Sequence, residues 1–235
     1  MTKPSQHGQK AWYGDACGAA HALELLGERW ALLVVRELMF GPRRFGELRA
    51  ALNGISANVL TQRLEGLEGA GIVVRRQLPS PTNAQVYELT PWGYETEPIF
   101  QTLGRWAARS PAHDPSLPLS AASLLLSFRT LLDGKRAAGV EAKMGLRLGS
   151  DRFMATVRDG RLAVERGELK KVDATLSGEP TALASVVYGG RSLTDAEAAG
   201  ALVIEGDRAL AKRFLSLFRL PPKATSTGSA ARIER

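Results

Sequence analysis

Residues 45–76, FGELRAALNGISANVLTQRLEGLEGAGIVVRR, constrain the fold of this chain more than any other stretch. Phe45, Leu48 and Leu52 recur on one face of a short helix, and Asn53-Gly54 tolerate the positive φ that a tight inter-helix turn needs. Ser56 is placed to cap a second helix, in which Val59, Leu60, Leu64 and Leu67 fall at three- and four-residue spacing. That spacing buries one stripe and leaves Ala57, Asn58, Thr61, Gln62 and Glu65 on the opposite side. Gly71 then ends the helix as a left-handed cap. Two strands follow, over 72–78 and 85–89, around the polar loop 79–84 with its two prolines. Helix, sharp turn, helix and a two-stranded wing together make a winged helix-turn-helix.

The exposed side of the second helix carries small and amide side chains, which a helix that only packs does not need. Asn58 and Gln62 offer a paired donor and acceptor to an adenine edge, and Ser56 and Thr61 can bond bases or phosphates. Arg63 flanks this face. Arg75 and Arg76 stand at the base of the wing, Arg43 and Arg44 precede the first helix, and Ala57, Thr82 and Asn83 complete the candidate contact set. Cations on both sides of a reading helix suit phosphate clamping, which supplies salt-dependent affinity without sequence information. Taken singly these arginines read equally well as solvated surface charges, so double-stranded DNA as a partner rests on their placement. Bulk charge does not help: the net +7 divides into twelve basic and ten acidic side chains over 1–110 and nineteen and fourteen over 111–235.

Other function classes find little support. One cysteine excludes an intramolecular disulfide and a structural cysteine zinc site, and His7, His21 and His113 lie far apart in sequence, so no metal is expected. No nucleophile has a base at recognisable spacing, and there is neither a glycine-rich phosphate loop nor a paired carboxylate motif, so neither enzymatic activity nor a cofactor is expected. No apolar run is long enough for a membrane span and 1–10 is polar, which sets the expectation of a cytoplasmic protein.

Beyond residue 110 the chain changes character. Ser110-Pro111-Ala112-His113-Asp114-Pro115-Ser116-Leu117-Pro118 cannot continue a helix and reads as a linker. An apolar helix over 121–132 follows. Ala142, Met144, Leu146 and Leu148 then alternate with Lys143, Gly145 and Arg147 as in a half-buried strand. Strands over 153–157 and 161–165 flank the hairpin signal Asp159-Gly160, and Val172, Ala174 and Leu176 alternate again. Pro180 opens a helix through Tyr188, Thr194 and Glu197 stand in capping-box register for another over 193–199, and a strand over 202–205 leads through Gly206-Asp207 into a helix carrying Leu210, Phe214, Leu217 and Phe218. This order describes an α+β domain with a small, mostly antiparallel sheet.

Two resemblances sharpen the reading. Cys17, Gly27-Glu28-Arg29-Trp30, Gly41-Pro42-Arg43-Arg44-Phe45-Gly46-Glu47-Leu48, Ile55-Ser56, Leu60-Thr61-Gln62-Arg63-Leu64, Leu67 and Gly71 form a collinear set that resembles the HxlR family of bacterial winged-helix regulators. Gly18 departs from the proline that commonly follows the family's N-terminal cysteine. The resemblance implies a homodimeric transcription factor whose dimer forms through terminal helices, here the segment 12–26 and the helix from Thr90-Pro91 through Trp106. It also implies Cys17 as a redox candidate, with His21 placed to lower its pKa should the two face each other; the alternative is a packing thiol. The run Asp173-Ala174-Thr175-Leu176-Ser177-Gly178-Glu179-Pro180, continued by 200–207 and on to Phe218, is similar to the sterol carrier protein fold, which implies an apolar ligand between sheet and helices. Leu125, Phe128, Phe153, Val186, Phe214 and Phe218 are the candidate lining residues, although periodicity does not separate a hollow core from a filled one.

The expected organisation is an arm at 1–14, the winged domain at 15–110, a linker at 111–120, a sterol-carrier-like ligand-binding or dimerisation domain at 121–222 and a disordered tail at 223–235. The leading expectation is a homodimeric regulator on a pseudo-palindromic operator, controlled by a hydrophobic small-molecule effector. The alternatives are a lipid carrier in which DNA binding is secondary and a regulator switched by oxidation of Cys17.

Overall fold

A computed structural model describes residues 13–225, so the expected arm and tail lie largely outside the described residues. The chain divides into two compact units, one ending at Glu95 and one beginning at Thr96.

The first unit contains α1 (Gly18–Leu26), α2 (Ala31–Leu38), α3 (Phe45–Ala51), α4 (Ala57–Gly69), β1 (Val73–Gln77), β2 (Gln85–Leu89) and the single turn α5 (Pro91–Tyr94). Its core is the set read from the apolar spacing, with Leu48, Leu52, Leu60, Leu64 and Leu67 buried beneath Val34, Val35 and Leu38 of α2. Val59 is only half-buried at the edge of that stripe. Gly54 takes φ +87° in the turn between α3 and α4, and the Ser56 hydroxyl accepts the Val59 N–H at 3.3 Å to cap α4. At the other end Gly71 takes φ +72°, its N–H donates to the Glu68 carbonyl at 3.0 Å, and the Ile72 N–H donates to that of Leu67 at 2.9 Å. This double closure is a Schellman motif, with Ile72 and Leu67 both buried beside it.

The wing is an antiparallel pair running from Val73↔Leu89 to Gln77↔Gln85. Residue 43 adds a third, one-residue strand: Arg43 and Tyr87 exchange both backbone hydrogen bonds, at 2.9 and 2.8 Å. The helix expected from Thr90 through Trp106 is interrupted at 95–96. Pro98 lacks the N–H that would bond the Tyr94 carbonyl and its ring crowds that carbonyl, so a new helix, α6 (Glu97–Ala107), starts within the second unit.

The second unit continues with α7 (Ala121–Leu131), α8 (Gly134–Ala137), β3 (Ala142–Leu148), β4 (Asp151–Arg158), β5 (Arg161–Arg166), β6 (Ala174–Gly178), α9 (Pro180–Val187), α10 (Leu193–Ala198), β7 (Leu202–Gly206) and α11 (Arg208–Leu215). The sheet order is β5-β4-β3-β6-β7, and only β3 and β6 run parallel. Asp159 and Gly160 both take positive φ between β4 and β5, as the sequence pattern requires. Ser192, rather than Thr194, caps α10 by accepting the Asp195 N–H at 3.0 Å; both residues are hydroxyls, and the extended backbone at 192 decides between them. The helix expected to carry Phe218 ends at Leu215, and Phe218 instead pairs with Leu132 in an isolated bridge.

One sheet face, with Met144, Leu146, Phe153, Ala155 and Leu176 fully buried, is covered by α7 and α11. Arg129 fastens α6 to this layer. Its Nη1 donates to both Glu97 carboxylate oxygens at 3.0 and 2.9 Å, and its Nη2 donates to the Val164 carbonyl at 2.8 Å. Among the described residues no helix is long and apolar enough to cross a membrane, and no group of three or more acidic, histidine or cysteine side chains is placed to hold a metal ion.

Candidate nucleic-acid interface

α4 presents two unlike sides. Leu60, Leu64 and Leu67 are buried, whereas Ser56, Asn58, Thr61, Gln62 and Glu65 are exposed and Ala57 is half-buried at the margin. The apolar stripe fixes the rotation of the helix, so the amide and hydroxyl side chains stand outward on a rigid support. Such a face can match base edges by paired hydrogen bonds without paying to order a loop.

The cations divide into two groups. Arg44, Arg75 and Arg76 are exposed. Arg76 Nη1 lies 2.6 Å from Glu88 Oε2 across the wing, and Arg75 Nε lies 3.8 Å from Glu68 Oε1. Exposed pairs of this kind contribute about 0–1 kcal/mol, so a phosphate competes readily for either guanidinium. Thr82 and Asn83 are exposed in the wing loop, with Asn83 at φ +40°.

Arg43 and Arg63 differ from the sequence expectation. Arg43 is 6% exposed, because its double backbone bond to Tyr87 draws it into the wing. Arg63 is a brace: its Nε donates to the Arg29 carbonyl at 2.8 Å, and its Nη2 lies 2.9 Å from Glu28 Oε2. These contacts tie α4 to the segment that opens α2. Glu28 thus enters the site's architecture although its partner lies far away in sequence, a separation that no local pattern reveals.

Cys17 is the exposed N-cap residue of α1. The backbone N–H groups of Ala20 and then Ala19 hold its thiol below the usual thiol range, because a helix N-terminus favours the thiolate. His21, placed by sequence as the activating neighbour, pairs with Glu24 instead, its Nδ1 lying 3.1 Å from Oε2.

In the second unit the candidate ligand-lining residues are brought together as packing. Phe128 and Phe218 stack with centroids 4.1 Å apart, and Phe214 meets both edge-on at 6.1 and 5.1 Å. Leu125 and Phe153 are fully buried and Val186 is half-buried. The Phe153 ring lies under the Arg166 guanidinium, 4.5 Å from the centroid. Three of the six candidates, Phe128, Phe214 and Phe218, therefore pack directly on one another.

Residues 116–224 match the family model described as alkyl sulfatase C-terminal. Residues 25–114 match the model described as HxlR-like helix-turn-helix. Over 86 residues, 37% of this chain, the sequence is 42% identical to an HTH-type transcriptional regulator of Synechocystis, sll1512, and spans 64% of that protein's length. It is 38% identical to YvaP of Bacillus subtilis over 86 residues, 37% of this chain and 80% of that protein. To YodB of the same organism, also an HTH-type transcriptional regulator, it is 40% identical over 86 residues, covering 37% of this chain and 77% of that one. With the capped turn, the exposed amide face of α4 and the wing in place, the chain belongs through its N-terminal part to the HxlR-like helix-turn-helix family.

Proposed function

We propose that the protein is a DNA-binding transcriptional regulator that acts as a homodimer on a pseudo-palindromic operator, with the C-terminal unit receiving a small-molecule signal. The observation that carries the reading is the outward face of α4, where Asn58, Thr61 and Gln62 are all exposed on a helix fixed by a buried leucine stripe. Base-edge contacts come from Asn58, Thr61 and Gln62, and phosphate contacts from Ser56, Arg44, Arg75, Arg76, Thr82 and Asn83. Dimerisation is supported by exposed apolar side chains on two helices. Leu23 is exposed on α1, and α6 exposes Ile99, Leu103 and Trp106 at helical spacing, the last at 73%. Two half-sites multiply the affinity of one small reading helix.

Selection of bound duplexes from a randomised pool, followed by anisotropy titrations, tests the reading. Gln62→Ala should lose about 1–3 kcal/mol of discrimination at one base pair per half-site. Equal, sequence-independent binding by parent and variant would refute base readout by α4.

A second reading is favoured by the exposed, acidified thiol at the start of α1: oxidation of Cys17 modulates DNA binding. A thiolate attacks one peroxide oxygen, the O–O bond breaks, and the other oxygen leaves as hydroxide, giving a sulfenic acid. If Cys17→Ser protein and the parent respond identically to peroxide, this reading fails. The carrier alternative is weakened by the packing of Phe128, Phe214 and Phe218.

A further inference from the structure

The face of the five-stranded sheet opposite α7 and α11 bears an open groove of roughly 400 Å³, lined by Arg147, Arg152, Glu168, Leu169 and Lys170. Strand alternation builds its floor. Leu146 and Leu148 of β3 and Phe153 of β4 point into the core, so Arg147 and Arg152 point out. The register makes these two arginines direct cross-strand partners. Opposed residues lie about 5 Å apart at Cβ, where like charges destabilise a sheet.

The compensation is lopsided. Arg147 Nη1 lies 2.5 Å from Glu205 Oε2, whereas the exposed Arg152 guanidinium has no carboxylate partner among the described residues. Lys170 pairs with Glu168 at 3.0 Å, but both are well exposed and the pair neutralises little. An apolar wall stands beside the cations. The Gly167 N–H donates to the Arg152 carbonyl at 3.0 Å, holding the following loop along β4. Leu169 reaches Gly145 so closely that a Cβ there would come within 2.9 Å of its Cδ1. In the same row across the sheet, next to Arg147, the buried Ser177 hydroxyl has no hydrogen-bond partner.

We propose that this groove binds a small organic anion, whose carboxylate, sulfate or phosphate head lies between the Arg147 and Arg152 guanidiniums and whose apolar part rests against Leu169. An anion there replaces a like-charge opposition with two charge-assisted bonds, and the volume suits a small ligand. The inference deepens the regulator reading by naming the effector class of the C-terminal unit, but the binding itself involves no DNA.

The test is calorimetric titration of the full chain, without DNA, with octanoate, octyl sulfate below its micelle threshold, octanol and inorganic sulfate. Octanoate or octyl sulfate should bind once per chain, and octanol and inorganic sulfate at least about tenfold more weakly. Arg152→Gln should weaken the organic anion about tenfold or more while leaving Tm unchanged or raised, since it removes a like-charge pair. Leu169→Ser should weaken it several-fold, and Glu205→Gln should strengthen it by removing a competing carboxylate. Octanol binding as tightly as the anions, anion binding indifferent to Arg152→Gln, or no binding by either organic anion would each overturn the proposal. So would a loss of DNA affinity in Arg152→Gln without any anion present, which would make the arginines a backbone contact. Failure of the α4 variants to alter base readout would sink the regulator reading and leave these titrations standing.

Discussion

Replacing Arg63 by alanine separates two roles for one side chain. As a phosphate contact, Arg63 would contribute about 0.9 per protomer to the slope of log K against log salt concentration, with little effect on folding. The geometry gives it another role, since both ends of the guanidinium are engaged within the domain, by the Arg29 carbonyl at 2.8 Å and Glu28 at 2.9 Å. A hydrogen bond from a charged group contributes about 1.5–3 kcal/mol when shielded, and an exposed ion pair about 0–1 kcal/mol. With Arg63 about one-fifth exposed and Glu28 more than one-third exposed, the expected loss is about 1–2 kcal/mol. For a domain of this size that lowers Tm by about 5–10 °C. Thermal denaturation followed by circular dichroism, paired with anisotropy titrations of an operator duplex over a range of salt, measures both quantities. Arg63→Ala should melt early and, where folded, keep the parent's salt slope. Arg76→Ala, whose exposed guanidinium pairs with Glu88 at the surface, should keep its Tm and lose about 0.9 of slope per protomer. An Arg63→Ala protein with the parent's Tm and a reduced slope would refute the brace.

Further outcomes follow from other parts of the molecule. Joint replacement Leu103→Asp and Trp106→Ser should shift the protein from dimer to monomer in light-scattering chromatography and sharply weaken operator binding; an intact dimer would exclude this face of α6 from the interface. Gly71→Ala should cost about 1–2 kcal/mol in urea unfolding, because φ +72° is unfavourable for a residue with a Cβ even though the surrounding space is open; an unchanged midpoint would deny the left-handed cap. The Cys17 alkylation rate should rise with pH through a midpoint below that of an ordinary thiol, since the folded-state thiolate is favoured; a midpoint at or above the ordinary value would remove the acidified thiol.

The reading motif was legible because its determinants are local. A glycine that must take positive φ, a serine three residues before the N–H it caps, and leucines at helical spacing all act within a dozen residues, and Gly54, Ser56 and the α4 stripe stand where those rules place them. What escaped depends on partners distant in sequence. Arg43 is drawn inward by a strand that begins more than forty residues later, and Arg63 by Glu28. The break before α6 had a local cause in Pro98, but Thr90-Pro91 gave an equally good start upstream and masked it. Both halves of the Arg147–Arg152 opposition sit in plain alternating strands, yet only the register across the Gly149 turn makes them partners.

The same limit bears on where a small molecule can bind. Apolar periodicity in α7, β4 and α11 describes equally well a lined cavity and a filled core, and the 4.1 Å stack of Phe128 on Phe218, with Phe214 edge-on to it, leaves no room between those three rings. Creating room for a ligand of about 300 Å³ at roughly 24 cal/mol per Å³ of cavity would cost about 7 kcal/mol, a large share of a domain's usual stability. An apolar effector lodged between those rings would have to supply that from its own contacts, forfeiting about five powers of ten in affinity. The groove over Arg147, Arg152 and Leu169 is already open and requires no such expansion. Preorganisation therefore favours the charged face of the sheet over the aromatic one, and an anion over a neutral lipid.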